Sequence, residues 1–158
     1  MATTIVPSNL VVTITESYSL NGVDYGNTMN KTYTDNGQVS QRVMSIAGKG
    51  AEATVWTDIL ALSTVDGQGQ VVKADYKYFR ITNLDTVNTL HLRTYNGADY
   101  VAFEVAPASS LLLMDAGYDG TLTSTIVTLR DIEAISGQSS SATEAIDVEF
   151  VMVTGVTA

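Results

Sequence analysis

The sequence predicts an all-β fold, an antiparallel β-sandwich of jelly-roll type, and three observations carry that prediction. Short apolar runs alternate with polar residues at a period of two, as a half-buried strand requires. Turn signals such as Asn21-Gly22, Asp35-Asn36-Gly37, Asn96-Gly97 and Pro107-Ala108-Ser109-Ser110 separate the runs. No helix-length amphipathic stretch stands out, and abundant Thr with only 2 Pro favours strands. Some ten strands without helices to cover a parallel sheet point to two packed antiparallel layers, with less than about a tenth of the residues helical.

Taken in order, Leu10, Val12 and Ile14 alternate with Val11, Thr13 and Thr15 in a first strand that continues towards Leu20. Asn21-Gly22 closes it into a hairpin with Val23 to Tyr25. The polar Met29–Thr34 stretch reads as a weak edge strand or an excursion, ended by Asp35-Asn36-Gly37. Gln38 to Ile46 recovers alternation with both faces mixed, as in a strand contacted on two sides, and Gly48-Lys49-Gly50 ends it. Thr54–Ser63, with the only Trp at position 56, is a further strand, and Asp66 to Gln70 is a turn leading to Val71-Val72.

The chain is organised around Tyr76–Met114, four short apolar runs that read as a strand meander. Leu90, Leu92 and Thr94 fall on one side with His91, Arg93 and Tyr95 on the other. Asn96-Gly97 supplies a tight turn, and Val101, Phe103 and Val105 resume the apolar face. Asp115 to Gly120 is a loop, and Thr125–Leu129 and Ile132–Ile135 are short strands. Ser136 to Thr143, SGQSSSAT, is too polar to bury enough apolar surface for ordering and is expected to be mobile. The last strand is the clearest, with Ile146, Val148, Phe150 and Met152 opposite Asp147 and Glu149. Leu92, Phe103, Val148 and Phe150 are the expected core.

At 158 residues the chain is expected to form a single domain, 1–158, and needs no covalent staple. A net charge of -9 argues against nucleic acid or an anionic membrane as partner, since both are held by Lys and Arg. With no Cys, disulfides, thiolate metal sites and thiol catalysis are excluded. Neither a signal peptide nor an apolar run near the ~18 residues of a membrane span is visible, so the expectation is a soluble, unprocessed chain made in a cytoplasm. Charged residues are only 16% of the chain, below the roughly 25% of ordinary soluble domains, which points to a surface that meets another protein.

Candidate chemistry is thin. His91 is the sole histidine and lacks a nucleophile elbow to serve, and one histidine does not make a zinc site. Asp115 and Asp119 sit among glycines without a calcium-loop pattern. Asp131 with Glu133, and Asp147 with Glu149, are carboxylates two apart on one strand face, more often solvated than paired for acid–base work. The Asn30-Lys31-Thr32 sequon has no secretory signal to give it meaning. The sequence therefore predicts no enzyme, no metal and no cofactor. Leu111 to Met114 is apolar on both faces, as are Val151 and Val153 opposite the apolar side of the last strand. Leu111, Leu113, Val151 and Val153 are accordingly the candidate subunit or capsid interface, beneath a covering layer made either by the chain's own loops or by a neighbouring subunit.

At Tyr78-Phe79-Arg80-Ile81-Thr82-Asn83-Leu84-Asp85, followed by Asn88, Leu90, Leu92 and Arg93, the chain resembles small virion proteins of tailed bacteriophages, those of cyanobacteria and marine bacteria in particular. The likeness continues around Phe103 to Met114. Where those proteins usually offer a glycine in the turn after the third strand, this chain has Pro107-Ala108-Ser109-Ser110. The resemblance implies an all-β structural component, a capsid decoration or cement protein with the phage major capsid protein as partner. The low charge content, together with Leu111 to Met114, Val151 and Val153, is the motive for expecting a symmetric homo-oligomer, a trimer foremost, on the outer surface of the head. The competing class is a tail-fibre or carbohydrate-binding module in which Tyr95, Tyr100 and Tyr118 stack on sugar rings.

Overall fold

The computed structural model describes residues 8–51, 53–63, 71–72, 76–97, 100–114, 117–118, 127–128 and 132–155. Its strands are β1 (Ser8–Glu16), β2 (Ser19–Leu20), β3 (Val23–Asp24), β4 (Asn27–Ile46), β5 (Thr57–Ser63), β6 (Val71–Val72), β7 (Tyr76–Asn83), β8 (Leu90–Tyr95), β9 (Tyr100–Val105), β10 (Ser110–Met114), β11 (Gly117–Tyr118), β12 (Val127–Thr128), β13 (Ala134–Ser139) and β14 (Ile146–Gly155). No described residue is helical. The fold is an antiparallel β-sandwich. One five-stranded sheet has the order β1-β4-β14-β7-β10 and the other β6-β5-β13-β8-β9, the short β5–β6 pairing alone being parallel.

Alternation explains which side chains meet between the layers. From the first sheet come Ile46, Phe79, Ile81, Ile146, Val148, Phe150 and Met152, and from the second Leu90, Leu92 and Ile135, all within one buried apolar cluster. Phe79 and Phe150 stack at 6.1 Å between ring centroids across the β7–β14 pairing. Phe103, expected in the core, is half-buried at its margin because β9 is the edge strand of its sheet.

The Tyr76–Met114 segment is not a meander within one layer. β8 and β9 form a hairpin in the second sheet, whereas β7 and β10 pair with each other in the first, with Leu111 opposite Ile81 and Leu113 opposite Phe79. Period-two alternation reports a face but not a partner, so the sequence pattern alone does not distinguish the two windings. The turn that returns the chain to β10 places Ala108 at φ 53°, a left-handed conformation glycine adopts without strain. It is held by Ala108 N–H donating to Asp85 O at 2.9 Å and Asn83 N–H to Ser109 O at 2.9 Å.

Four further expectations need correction. The first strand stops at Glu16, and a separate hairpin of β2 and β3 follows, turning at Asn21 and Gly22 with φ 51° and 78°. Met29–Thr34 does not stand alone but is continuous with Gln38–Ile46 in the 20-residue β4, which runs through Asp35-Asn36-Gly37. Asp35 there takes φ 56° and the β4–β14 register shifts, so the expected turn is a bulge rather than a reversal. Strands β5 and β13 begin at Thr57 and Ala134, later than predicted.

The largest correction concerns Ser136 to Thr143. Its first four residues complete β13, a central strand paired to both β5 and β8, with Ser136, Gln138 and Ser139 buried. Two-sided pairing satisfies the backbone, and Gly137 makes room for the core: a Cβ there would stand 3.0 Å from Ile59 Cδ1 and 3.1 Å from Leu90 Cδ1. Ser136 Oγ donates to Asp58 Oδ1 at 3.1 Å, and Ser140 Oγ accepts from Thr89 N–H at 3.0 Å. The rest is a turn fixed by Lys49 N–H to Ser141 O at 2.9 Å and Gly50 N–H to Ala142 O at 3.1 Å. Of the predicted Thr125–Leu129 strand only Val127–Thr128 lies among the described residues, as β12 opposite β11. The Asp66–Gln70 turn lies outside them, as does the Asp115–Gly120 loop apart from β11.

Candidate interaction surfaces

The polar candidates are separated by the fold. His91 and Glu104 are cross-strand neighbours on the outer face of the β8–β9 hairpin, with Nε2 3.8 Å from Oε1 and the glutamate side chain 80% exposed. Asp147 and Glu149 share the outer face of β14, but the Glu149 carboxylate accepts from Arg80 Nη2 at 2.6 Å and from Gln41 Nε2 at 2.6 Å. That is a cross-strand ion pair on a sheet. Asp115, Asp119 and Asp131 lie outside the described residues, so neither the calcium-loop candidate nor the Asp131–Glu133 pair is placed. Asn30 sits in the exposed first half of β4, its Oδ1 accepting from Thr13 Oγ1 at 2.8 Å. Among the described residues no three His, Asp or Glu converge on a metal-sized space, and no helix is long and apolar enough to cross a membrane.

The four predicted interface residues fall on opposite faces of one sheet. Leu111 is half-buried and Leu113 6% exposed, both packed into the main core. Val151 and Val153 point the other way, into a second apolar cluster with Tyr33, Tyr78, Leu112 and Met114. Leu10 and Val12 from β1 also pack there, and Val153 is left with no accessible surface. The root of the β1–β4 ribbon thus supplies part of the covering layer. Beside it runs a groove of about 510 Å³ between Leu10 and Val12 on one wall and Leu112 and Val151 on the other, with Tyr78, Arg80 and Gln41 also lining it. Burial raises the Tyr78 phenol above its ordinary pKa, and the nearby Arg80 guanidinium opposes that rise.

Two exposed surfaces were not singled out by sequence reasoning, and a third contains the predicted Tyr95 and Tyr100. β1 pairs only with Asn27–Asn36 of β4, and β14 only with Asn36–Ile46, so the first half of β4 and β1 form a two-stranded ribbon beyond the sandwich. On the ribbon and the hairpin it carries, Val11, Tyr18, Leu20, Val23, Tyr25 and Met29 are all exposed, with the Tyr18 and Tyr25 rings 5.9 Å apart. The signal was the unbroken strand-compatible run from Asn27 to Ile46, masked by the turn-like Asp35-Asn36-Gly37. The second surface is the outer face of the second half of β4, where Val39 and Val43 are 60% and 61% exposed. The third is a stack on the other sheet, in which the Arg93 guanidinium lies 4.2 Å from the Trp56 ring centroid and 4.7 Å from that of Tyr100. Tyr95 stacks on Tyr100 at 4.7 Å, while Tyr118 lies in β11.

No known protein family, curated protein or solved structure matches the chain.

Proposed function

We propose that this is a structural protein of a tailed-phage particle, a decoration or cement protein made in the host cytoplasm and seated on the outer surface of the head. It works by contacts with the major capsid protein and with copies of itself, and is not an enzyme. The observation that carries the reading is the β1–β4 ribbon, which presents Tyr18, Leu20, Val23, Tyr25 and Met29 to solvent on an arm with no core of its own. An isolated two-stranded ribbon is marginal in water, and exposed apolar groups on one mark a surface for another protein. The strand orders β4-β14-β7-β10 and β5-β13-β8-β9 support the jelly-roll form of the sandwich. Threefold positions of an icosahedral shell suit a trimer, and linked weak contacts raise avidity without new chemistry.

Incubation with undecorated shells, followed by sedimentation of the shells, tests the reading. Wild-type protein is expected to co-sediment, and L20D/Y25S to lose at least roughly tenfold in affinity, the loss of two central apolar contacts. A chain that ignores shells and binds a host glycan overturns it. That second reading, a tail-fibre or carbohydrate-binding module, is favoured by the Trp56–Arg93–Tyr100–Tyr95 stack. In that case Y100A, rather than L20D/Y25S, abolishes binding.

A further inference from the structure

The register of the second sheet places Arg93 of β8 opposite Ser136 on one side and Ala102 on the other, so the three share the sheet's outer face. Both neighbours are small, and Ser136 is engaged in donating to Asp58 at 3.1 Å, which leaves Arg93 standing over a low floor. Taller groups surround it: Tyr100 and Glu104 at the two diagonal positions on β9, and Trp56, which directly precedes β5. Diagonal neighbours on a sheet are within reach of long side chains, so Arg93 has a carboxylate available in Glu104. The guanidinium turns to the rings instead, 4.2 Å from the Trp56 centroid and 4.7 Å from that of Tyr100, which Tyr95 backs at 4.7 Å. Glu104 Oε1 lies 3.8 Å from His91 Nε2.

A guanidinium held against two rings keeps its plane, and the N–H groups in that plane match the two oxygens of a carboxylate. Arg93 Nε is buried with no hydrogen-bond partner, so a ligand meets the fork at its Nη1–Nη2 end. Two residues further along β13, Gln138 stands opposite His91 on the same face, 5% exposed, and its Oε1 accepts no hydrogen bond either. A face on which a donor and an acceptor are both short of partners suits a ligand that bears carboxylate and hydroxyl together. We propose that this site binds an acidic sugar, a single uronic acid in an otherwise neutral glycan, with its carboxylate on the Arg93 fork and its ring against the edges of Trp56 and Tyr100. An uncharged sugar leaves the fork without an ionised partner. A polyanion, whether nucleic acid or sulfated polymer, meets Asp58 and Glu104 on either side of Arg93 and a chain of net charge -9. One carboxylate on a hydroxylated ring is matched by one cation set among acceptors. The proposal names the ligand class for the glycan reading above, on which it rests, and is independent of the decoration reading.

Trp56 is the only tryptophan, so its fluorescence reports this site directly in the full chain. The titrants are a disaccharide of glucuronic acid and galactose, the same disaccharide as its methyl ester, sodium acetate and a single-stranded oligonucleotide. Wild type should bind the acid roughly tenfold or more tighter than the ester, since a hydrogen bond to an ionised group is the stronger kind. R93K keeps the charge but lacks the planar fork, and should bring the acid-to-ester ratio close to one. E104Q removes a nearby negative charge and should raise the same ratio. Circular dichroism checks that both variants keep the wild-type β spectrum, and a merely structural Arg93 would move acid and ester binding in proportion. Equal binding of acid and ester by wild type overturns the proposal and leaves the glycan reading standing, whereas no response to either disaccharide sinks both. Acetate bound as tightly as the acid disaccharide overturns it in favour of an acidic side chain of a partner protein, and tighter binding of the oligonucleotide overturns it in favour of a polyanion.

Discussion

Leu10, Val12 and Ile14 in β1 carry the same alternating pattern as Leu90, Leu92 and Thr94 in β8, and the two strands end in opposite circumstances. β8 lies between β13 and β9, and its inward side chains have no accessible surface. β1 lies at the end of its sheet against half of a long strand, and its apolar residues are at best half-buried. Each pattern specifies one apolar face. What covers that face is decided elsewhere in the chain, by Phe150 and Ile135 for β8 and by Tyr33 and Tyr78 for the root of β1. Beyond the root, at Ile14 and Met29, cover is thin.

Truncation at matched positions is the strongest way to break this contrast. Phe150→Ala removes a ring stacked on Phe79 in the main core and should cost about 3–5 kcal/mol. Met29→Ala, on the ribbon, should stay within about 0.5 kcal/mol. Urea midpoints measured on both at low protein concentration decide it. A comparable loss for Met29→Ala would mean that the ribbon folds as part of the core unit.

A smaller effect, on polar groups, sharpens the contrast from another side. Asn83 closes β7 with no accessible surface, its Nδ2 lying 2.9 Å from Asn88 O, 3.1 Å from Val105 O and 3.3 Å from Ala106 O. Its Oδ1 accepts from Asp85 N–H at 3.1 Å, so one amide ties the β7–β8 loop to the β9–β10 turn. Asn83→Ala removes the Nδ2 donor from these carbonyls, the buried Val105 O among them, and should cost about 2–3 kcal/mol. Asn30→Ala, which removes an amide bonded to Thr13 on the exposed ribbon, should be nearly neutral. Equal shifts in thermal midpoint for the two would remove the distinction between a buried and a solvated amide in this protein.

The same physics sets how far the fold was legible from the sequence. Faces were readable wherever alternation was clean, as for Leu90, Leu92, Val148 and Phe150, all of which are buried. Partners were not, since a period of two is silent on which sheet a strand joins. Two polar stretches misled for opposite reasons. Asp35-Asn36-Gly37 has turn chemistry, yet hydrogen bonding on both sides carries β4 through it as a bulge. Ser136–Ser139 has the composition of a loose loop, yet a glycine and small hydroxyl side chains let a central strand sit close beneath Ile59 and Leu90. Of the interface residues, Val151 and Val153 lie under a second apolar cover. The ribbon that provides part of it was invisible because its two strands are far apart in sequence from the face they reach.

Acid offers the mildest probe of the core side, through the loop that Asn83 anchors. The Asp85 carboxylate accepts from Asn88 N–H at 2.6 Å and from Val87 N–H at 2.7 Å, and these hydrogen bonds, Asn88's first, hold its pKa below the ordinary carboxylate value. Since the folded pKa lies below the unfolded one, about 3.9 for an aspartate, the ionised form favours the folded state. That contribution is present in full above the unfolded pKa and is lost as pH falls through the lower folded value. Asp85 is solvated, so the effect is small and weakened further by salt. Asp85→Asn keeps an oxygen able to accept from the same two N–H groups but cannot titrate. Urea midpoints followed from about pH 7 down to about pH 2.5 should therefore fall more steeply for wild type than for D85N below roughly pH 4, and run nearly parallel above it. Parallel curves throughout would show that the two backbone hydrogen bonds hold the loop equally well without the charge.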